Sequence, residues 1–172
     1  MVPSDREGDF ITMHKESYPR VYAFVRRRIN DPETSQEIAA DVFRIAWQKW
    51  EIEDQSVAWL LSVARHLVGN AYRSRDRRRE LELQLARNAL GAPVPDDSAG
   101  NLVDELLPLL KSAQQEILRL AYWDGLSSEE MATVLGISAN SARVRLHRAR
   151  EAFRRAAAKS GSALGPVQEL EA

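Results

Sequence analysis

The sequence predicts an all-α protein built as two small helical domains joined by a flexible linker, and three observations carry that expectation. Apolar residues recur three and four apart along most of the chain, with no alternating strand pattern of useful length. Residues 91–100, GAPVPDDSAG, break that periodicity with the proline, glycine and small polar residues of a tether. Residues 126–150 then encode two short helices around a glycine turn, the second studded with arginines.

The first domain is expected over residues 10–79. Phe10, Ile11, His14, Tyr18, Val21, Tyr22, Val25 and Ile29 follow helical spacing, with Pro19 either kinking this helix or restarting it at a first turn. Asn30, Asp31 and Pro32 make a turn. A second helix is expected from about Glu33 to Trp50, burying Ile38, Val42, Ile45 and Ala46 with Phe43, Trp47 and Trp50 beside them. After the polar segment 51–57, a third helix begins near Ala58 and packs Trp59, Leu60, Val63, Ala64, Leu67 and Ala71. It runs into Arg73, Arg75, Arg77, Arg78 and Arg79. Such a tail is either a solvated helix end favoured by the helix dipole or a phosphate-binding segment.

Residues 80–101 turn acidic, lead into the tether and are expected to be linker. The second domain is expected over 102–158, with helices at 102–110 and 112–123 and with Ser112 and Gln115 as a capping pair. Ser127 and Glu130 have the spacing of a capping box, Met131, Ala132 and Leu135 form a short apolar stripe, and Gly136 supplies a left-handed helix end. Ser138 is placed to cap the next helix. On a wheel advancing about 100° per residue, Leu146, Ala149 and Phe153 fall within about 40° of Ala142 and make the buried stripe. The opposite side carries Asn140, Val144, His147 and Arg148, with Arg143 on its flank and Ser141 near the helix start, an arrangement suited to a DNA major groove. Arg145 and Arg150 can instead pair with Glu129, Glu130 or Glu151. Residues 159–172 have little apolar content and are expected to form a disordered tail.

The formal net charge of −1 conceals a strong segregation. Counting Lys and Arg against Asp and Glu, residues 10–79 carry +4 and 131–159 carry +6, whereas 80–130 carry −7 and each terminus carries −2. Two basic blocks separated by an acidic middle suit a chain that touches nucleic acid twice. There is no cysteine, and the three histidines, at 14, 66 and 147, have no metal-ligand spacing, so neither a metal nor a cofactor is expected. No acid, base and nucleophile cluster together and no phosphate-binding glycine loop occurs, so the chain does not read as an enzyme. No apolar run approaches the roughly 20 residues that span a bilayer, and the acidic residues 4–9 are unlike a signal peptide. The expectation is a cytoplasmic protein without membrane insertion.

Residues 35–47 (SQEIAADVFRIAW), 58–67 (AWLLSVARHL) and 126–153 resemble, in order, regions 2.2, 2.3 to 2.4 and 4.2 of the ECF (extracytoplasmic function) sigma factors of bacterial RNA polymerase. The resemblance covers about residues 10–158. It implies a dissociable initiation subunit whose first domain binds core polymerase and the −10 promoter element and whose second binds the −35 element. Glu37 and Asp41, with Arg44 and Gln48 on the same helix, fall on the surface that the family docks on the β′ clamp helices, and region 4 meets the β flap. Where the family commonly has glutamine, this chain has Ala40.

By the same resemblance, residues 51–57 correspond to the loop that captures a base flipped from the melted strand, which assigns Glu51, Glu53, Asp54, Gln55 and Ser56 to the −10 element. A flipped base is stacked and read on its exposed edge. The loop acids either accept from an exocyclic amine or stay solvated away from the phosphates. His66 stands beside this loop where the family usually has asparagine, and Arg73, Arg75 and Arg77 follow on the helix. Arg143, Val144, His147 and Arg148 match positions facing the −35 major groove, with Asn140 and Ser141 near the phosphates. An anti-sigma factor covering the docking face is a further partner that the family implies. The alternative reading is a helix-turn-helix regulator, not a polymerase subunit, whose N-terminal helices sense a ligand or dimerise; the basic run 73–79 is better explained by a second DNA contact.

Overall fold

The computed structural model describes residues 6–51, 54–86 and 102–160, and every regular element among them is helical. The chain divides into two compact units, Met1–Pro93 and Val94–Ala172. In the first, α1 (Arg6–Arg26), α2 (Pro32–Gln48) and α3 (Val57–Ala86) pack against one another in all three pairs. Val21, Phe24, Val25, Ile29, Val42, Leu60 and Leu61 form its water-free centre. The second unit contains α4 (Leu102–Leu106) continued by a 3-10 turn (Leu107–Leu109), then α5 (Ser112–Tyr122), α6 (Ser128–Leu135) and α7 (Ala139–Lys159). Its core gathers Leu106, Ile117, Leu120, Met131, Ala142 and Ala149, with α5 and α6 laid along α7.

Local chemistry explains where these helices start and stop. Asp31 caps α2 by accepting from the Thr34 N–H at 2.7 Å and the Thr34 hydroxyl at 2.5 Å, and Pro32 occupies the first turn, where a missing N–H costs nothing. Those Thr34 bonds, followed by the nearby charges of Arg75 and Arg26, hold the Asp31 carboxyl below its usual range. The fully buried Ser35 satisfies its hydroxyl on the Asp31 carbonyl at 2.7 Å.

Several elements differ from expectation. α1 runs through Pro19 without restarting, because Pro19 lies on the exposed side and the ring is accommodated there. Only part of the expected stripe of α1 is core: Ile11 is exposed, while Phe10, His14, Tyr18 and Tyr22 are half-buried. On α3 the fully buried positions are Ala58, Leu60, Leu61, Ala64 and Val68, whereas Trp59, Val63, Leu67 and Ala71 are half-buried. The helix lies against two partners at once, which turns a neighbouring stripe inward. α3 also continues to Ala86, so residues 80–86, expected to be linker, are helical. Glutamate, glutamine and leucine propagate a helix well, and acidity alone did not end it. The rest of the expected linker, 87–101, and the tail from 161 lie outside the described residues. In the second unit, Pro108 converts the end of the expected 102–110 helix into a 3-10 turn. α5 is capped one residue early: the Lys111 N–H donates to Gln114 at 3.2 Å and the Gln115 amide donates to the Leu110 carbonyl at 2.9 Å, so Ser112 and Gln115 are not a reciprocal pair.

Candidate nucleic-acid interface

The helix-turn-helix is closed at every joint by its own sequence. The Ser127 hydroxyl accepts from the Glu130 N–H at 3.1 Å, and the Glu130 carboxylate accepts from the Ser127 N–H at 2.8 Å. At the other end of α6, Gly136 adopts φ 65° and ψ 38°. The Ile137 N–H reaches the Ala132 carbonyl at 3.0 Å and the Gly136 N–H reaches Thr133 at 3.3 Å, the paired bonds of a Schellman motif. Ser138 then caps α7 through the Ser141 N–H at 3.1 Å, and its hydroxyl also donates to the Ser141 hydroxyl at 2.9 Å.

These joints set the rotation of α7. Ala142, Leu146, Ala149 and Ala157 are buried, and Phe153, expected in the same stripe, is half-buried beside Leu118 and Tyr122 at an apolar groove. Asn140, Arg143, Val144, His147 and Arg148 are exposed, and Ser141 is half-buried. Val144 is 40% accessible. The internal ion pairs fall differently from expectation. Glu129 is engaged by Arg143, at 3.1 Å, and Glu151 by Arg154, at 2.7 Å. Arg150 instead donates through Nε to the Tyr122 hydroxyl at 2.5 Å. The hydroxyl lies within its reach because α5 packs along α7. The backbone N–H at Glu129 itself and then the Arg143 guanidinium hold the Glu129 carboxyl below its usual range.

In the first unit, the segment after α2 is tied at both ends. The Gln55 amide donates to the Lys49 carbonyl at 3.2 Å, and the Ser56 hydroxyl accepts from the Trp59 N–H at 3.2 Å, capping α3. Two residues assigned to base reading are therefore engaged in shaping the loop. Glu51 and Asp54 are exposed, while Glu53 lies outside the described residues. His66, Arg73 and Arg77 share one exposed face of α3, since their spacings of seven and four return to the same side of the helix. Asn70, absent from the sequence-derived set, sits on that face between them and accepts from the Arg73 guanidinium. The i, i+4 relation to His66 was the available signal. Arg75 points the other way, into a cleft with Asp31, Thr34, Glu37 and Arg78, so the structure separates it from Arg73 and Arg77.

On α2, Glu37, Asp41, Arg44 and Gln48 lie on one face at intervals of four, three and four. Asp41 is already paired with Arg44, whose Nη2 and Nε reach its carboxylate at 2.9 and 3.1 Å. Among the described residues there is no group of three or more His, Cys, Asp or Glu side chains placed to hold a metal, and no helix is long and apolar enough to cross a membrane.

This arrangement matches known proteins in both units. The sequence model of sigma-70 region 2 matches residues 13–78, and that of sigma-70, region 4 matches residues 100–153. The chain is 26% identical over 157 residues to the ECF RNA polymerase sigma factor SigK of Mycolicibacterium vanbaalenii, covering 85% of this chain and 80% of that one. It is 29% identical over 129 residues to the RNA polymerase sigma-E factor of Streptomyces coelicolor, covering 72% of each. A probable RNA polymerase sigma factor, RfaY of Xanthomonas campestris pv. campestris, is 31% identical over 136 residues, but this chain spans only 34% of its length. The fold is shared with the sigma factor RpoE solved with the anti-sigma factor NepR from Bartonella quintana, at a TM-score of 0.55 and 23% identity over 86% of this chain and 96% of that one. It is also shared with CnrH solved with the cytosolic domain of CnrY, at a TM-score of 0.61 and 23% identity over 88% and 89%.

A region 2 unit followed by a region 4 unit defines a sigma-70-type transcription factor. Within that class, the chain belongs to the ECF RNA polymerase sigma factors.

Proposed function

We propose that this chain directs core RNA polymerase to promoters by dividing recognition between its two units. The α2 face of Glu37, Asp41, Arg44 and Gln48 docks on the β′ clamp helices, and the second unit meets the β flap. Segment 51–56 and the α3 face of His66, Asn70, Arg73 and Arg77 hold the melted −10 strand. The α7 face of Arg143, Val144, His147 and Arg148 reads the −35 major groove, with Asn140 and Ser141 near phosphates. Arg75 belongs to the α2–α3 cleft and acts from there. The observation that carries this reading is that each unit turns a separate basic helix face to solvent.

The work is done by binding energy, with no cofactor and no bond made or broken by this chain. Tethering raises the local concentration of the second unit at the upstream element once the first is engaged. The chain acts in the cytoplasm, and an anti-sigma partner competes for the α2 docking face. Run-off transcription with purified core polymerase tests the reading: initiation from defined start sites only when the chain is added supports it. Operator binding without any change in core activity would place the chain among free-standing regulators instead.

A further inference from the structure

We infer that Arg6 is a positioning residue for the −10 loop, setting the start of segment 51–56 and offsetting its acidity; this rests on the reading of that segment as the base-capturing loop. Arg6 lies in the first turn of α1, 41 residues from the carbonyl it binds. Its Nη2 donates to the Trp47 carbonyl at 2.9 Å, its guanidinium carbon sits 4.2 Å from the Trp47 ring centroid, and its Nη1 is 3.7 Å from the Glu51 carboxylate. The Trp47 carbonyl lies in the last turn of α2, at the negative end of the helix dipole, where its backbone partner is a long bond of 3.4 Å from the Trp50 N–H. A cation placed there adds a shorter bond to that carbonyl and complements the dipole.

Four residues on, Phe10 continues the grip. Its ring meets Trp47 edge-on at 5.1 Å and Trp50 edge-on at 5.6 Å, so one face of α1 holds the turn from which the loop departs. The loop's far end is held by Gln55 on the Lys49 carbonyl and by the Ser56 cap. The Arg6 guanidinium makes one hydrogen bond, from Nη2 to the Trp47 carbonyl, holds Nη1 towards Glu51, and leaves Nε buried with no hydrogen-bond partner among the described residues. The contacts that Arg6 makes are with Trp47 and Glu51, and its effect on the loop runs through them. The ion pair with Glu51 is exposed and weak by itself. Its consequence is local: a cation beside an acidic loop lowers the repulsion that Glu51 exerts on an approaching phosphate backbone.

The test uses holoenzyme reconstituted from core polymerase and full-length chain, on a promoter selected with the wild-type holoenzyme. Arg6→Ala, Arg6→Lys and Asp54→Ala are compared for core affinity, for permanganate reactivity of the melted strand, and for the ratio of initiation rates between templates differing only in the −10 element. Arg6→Ala is expected to lower that ratio by about three- to tenfold with core affinity held, at an assay temperature where the first unit stays folded despite the fall of a few degrees in melting temperature that losing one cation–π contact and one hydrogen bond entails. Arg6→Lys, which keeps the charge, is expected to recover part of the ratio. An unchanged ratio in Arg6→Ala with a changed one in Asp54→Ala would overturn the role of Arg6 and leave the loop assignment standing. No change in either would overturn both. A loss in Arg6→Ala that tracks core affinity or unfolding would reduce Arg6 to a structural contact and also overturn the inference.

Discussion

Gly136→Ala isolates the energetic cost of the turn that aims the DNA-reading helix. A β-carbon built at this position meets no atom within 4 Å, so no clash contributes and the penalty is conformational. At φ 65° and ψ 38°, an L side chain costs about 1–2 kcal/mol. The stiffer unfolded chain returns roughly 0.4–1 kcal/mol, leaving a net loss of about 1 kcal/mol. For a unit of this size that is a fall in melting temperature of about 4–8 °C. Gly136→Asn should cost about half as much, because asparagine tolerates the left-handed region better. The measurement is thermal unfolding of the full chain followed at the Trp123 indole resonance, since the other tryptophans, Trp47, Trp50 and Trp59, lie in the first unit. A domain stable by about 5–15 kcal/mol stays folded at 25 °C after such a loss, so −35 affinity should stay within about twofold. Equal melting for glycine, asparagine and alanine would show that the left-handed turn carries no conformational cost, and a tenfold loss of DNA affinity without a change in stability would show that residue 136 acts on DNA binding directly.

Other perturbations separate the remaining parts. Arg143→Ala should weaken −35 duplex binding by about 5- to 150-fold, the range of a lost base-edge contact, with melting nearly unchanged; anisotropy titration of a labelled duplex checks this. Leu60→Ala removes a fully buried side chain and should cost the first unit about 2–5 kcal/mol, read by urea unfolding at Trp59. Asp31 and Glu129 both have lowered carboxyl pKa values relative to 3.8 and 4.5. Protons therefore bind the unfolded chain more readily than the native one. Their stabilisation is fully present above the ordinary values of 3.8 and 4.5 and is lost as pH falls through the lowered ones. Asp31→Asn should flatten that acid limb in the first unit and Glu129→Gln in the second, followed by acid unfolding at the tryptophans of each.

The helix-turn-helix was the most legible part of the chain because its joints are local. Ser127 with Glu130, Gly136, and Ser138 act within a few residues of themselves, so spacing alone places them. The face of α7 followed from a wheel anchored on Ala142. Less was legible wherever a second element decides the outcome. Which of Trp59, Leu60 and Leu61 is innermost depends on α1 and α2 packing on α3 together, and no single-helix pattern encodes that. Arg150 was legible as a partner-seeking cation, but its choice of Tyr122 over a glutamate depends on α5 lying against α7. Arg75 looked equivalent to Arg73 and Arg77 in a basic run, and only the helical rotation sends it to the α2 cleft. Arg6 had no sequence signal at all, since its partners are 41 to 45 residues away.

The proposed function requires one chain to carry two promoter addresses on two units. The most direct measurement is sequencing of transcripts initiated by core polymerase plus this chain on a library randomised upstream of the start site, repeated with Arg143→Ala and with Asp54→Ala. Two sequence blocks at a fixed spacing are expected, the upstream one relaxed by Arg143→Ala alone and the downstream one by Asp54→Ala alone. A single block, or two blocks that both relax with either substitution, would contradict the proposed function.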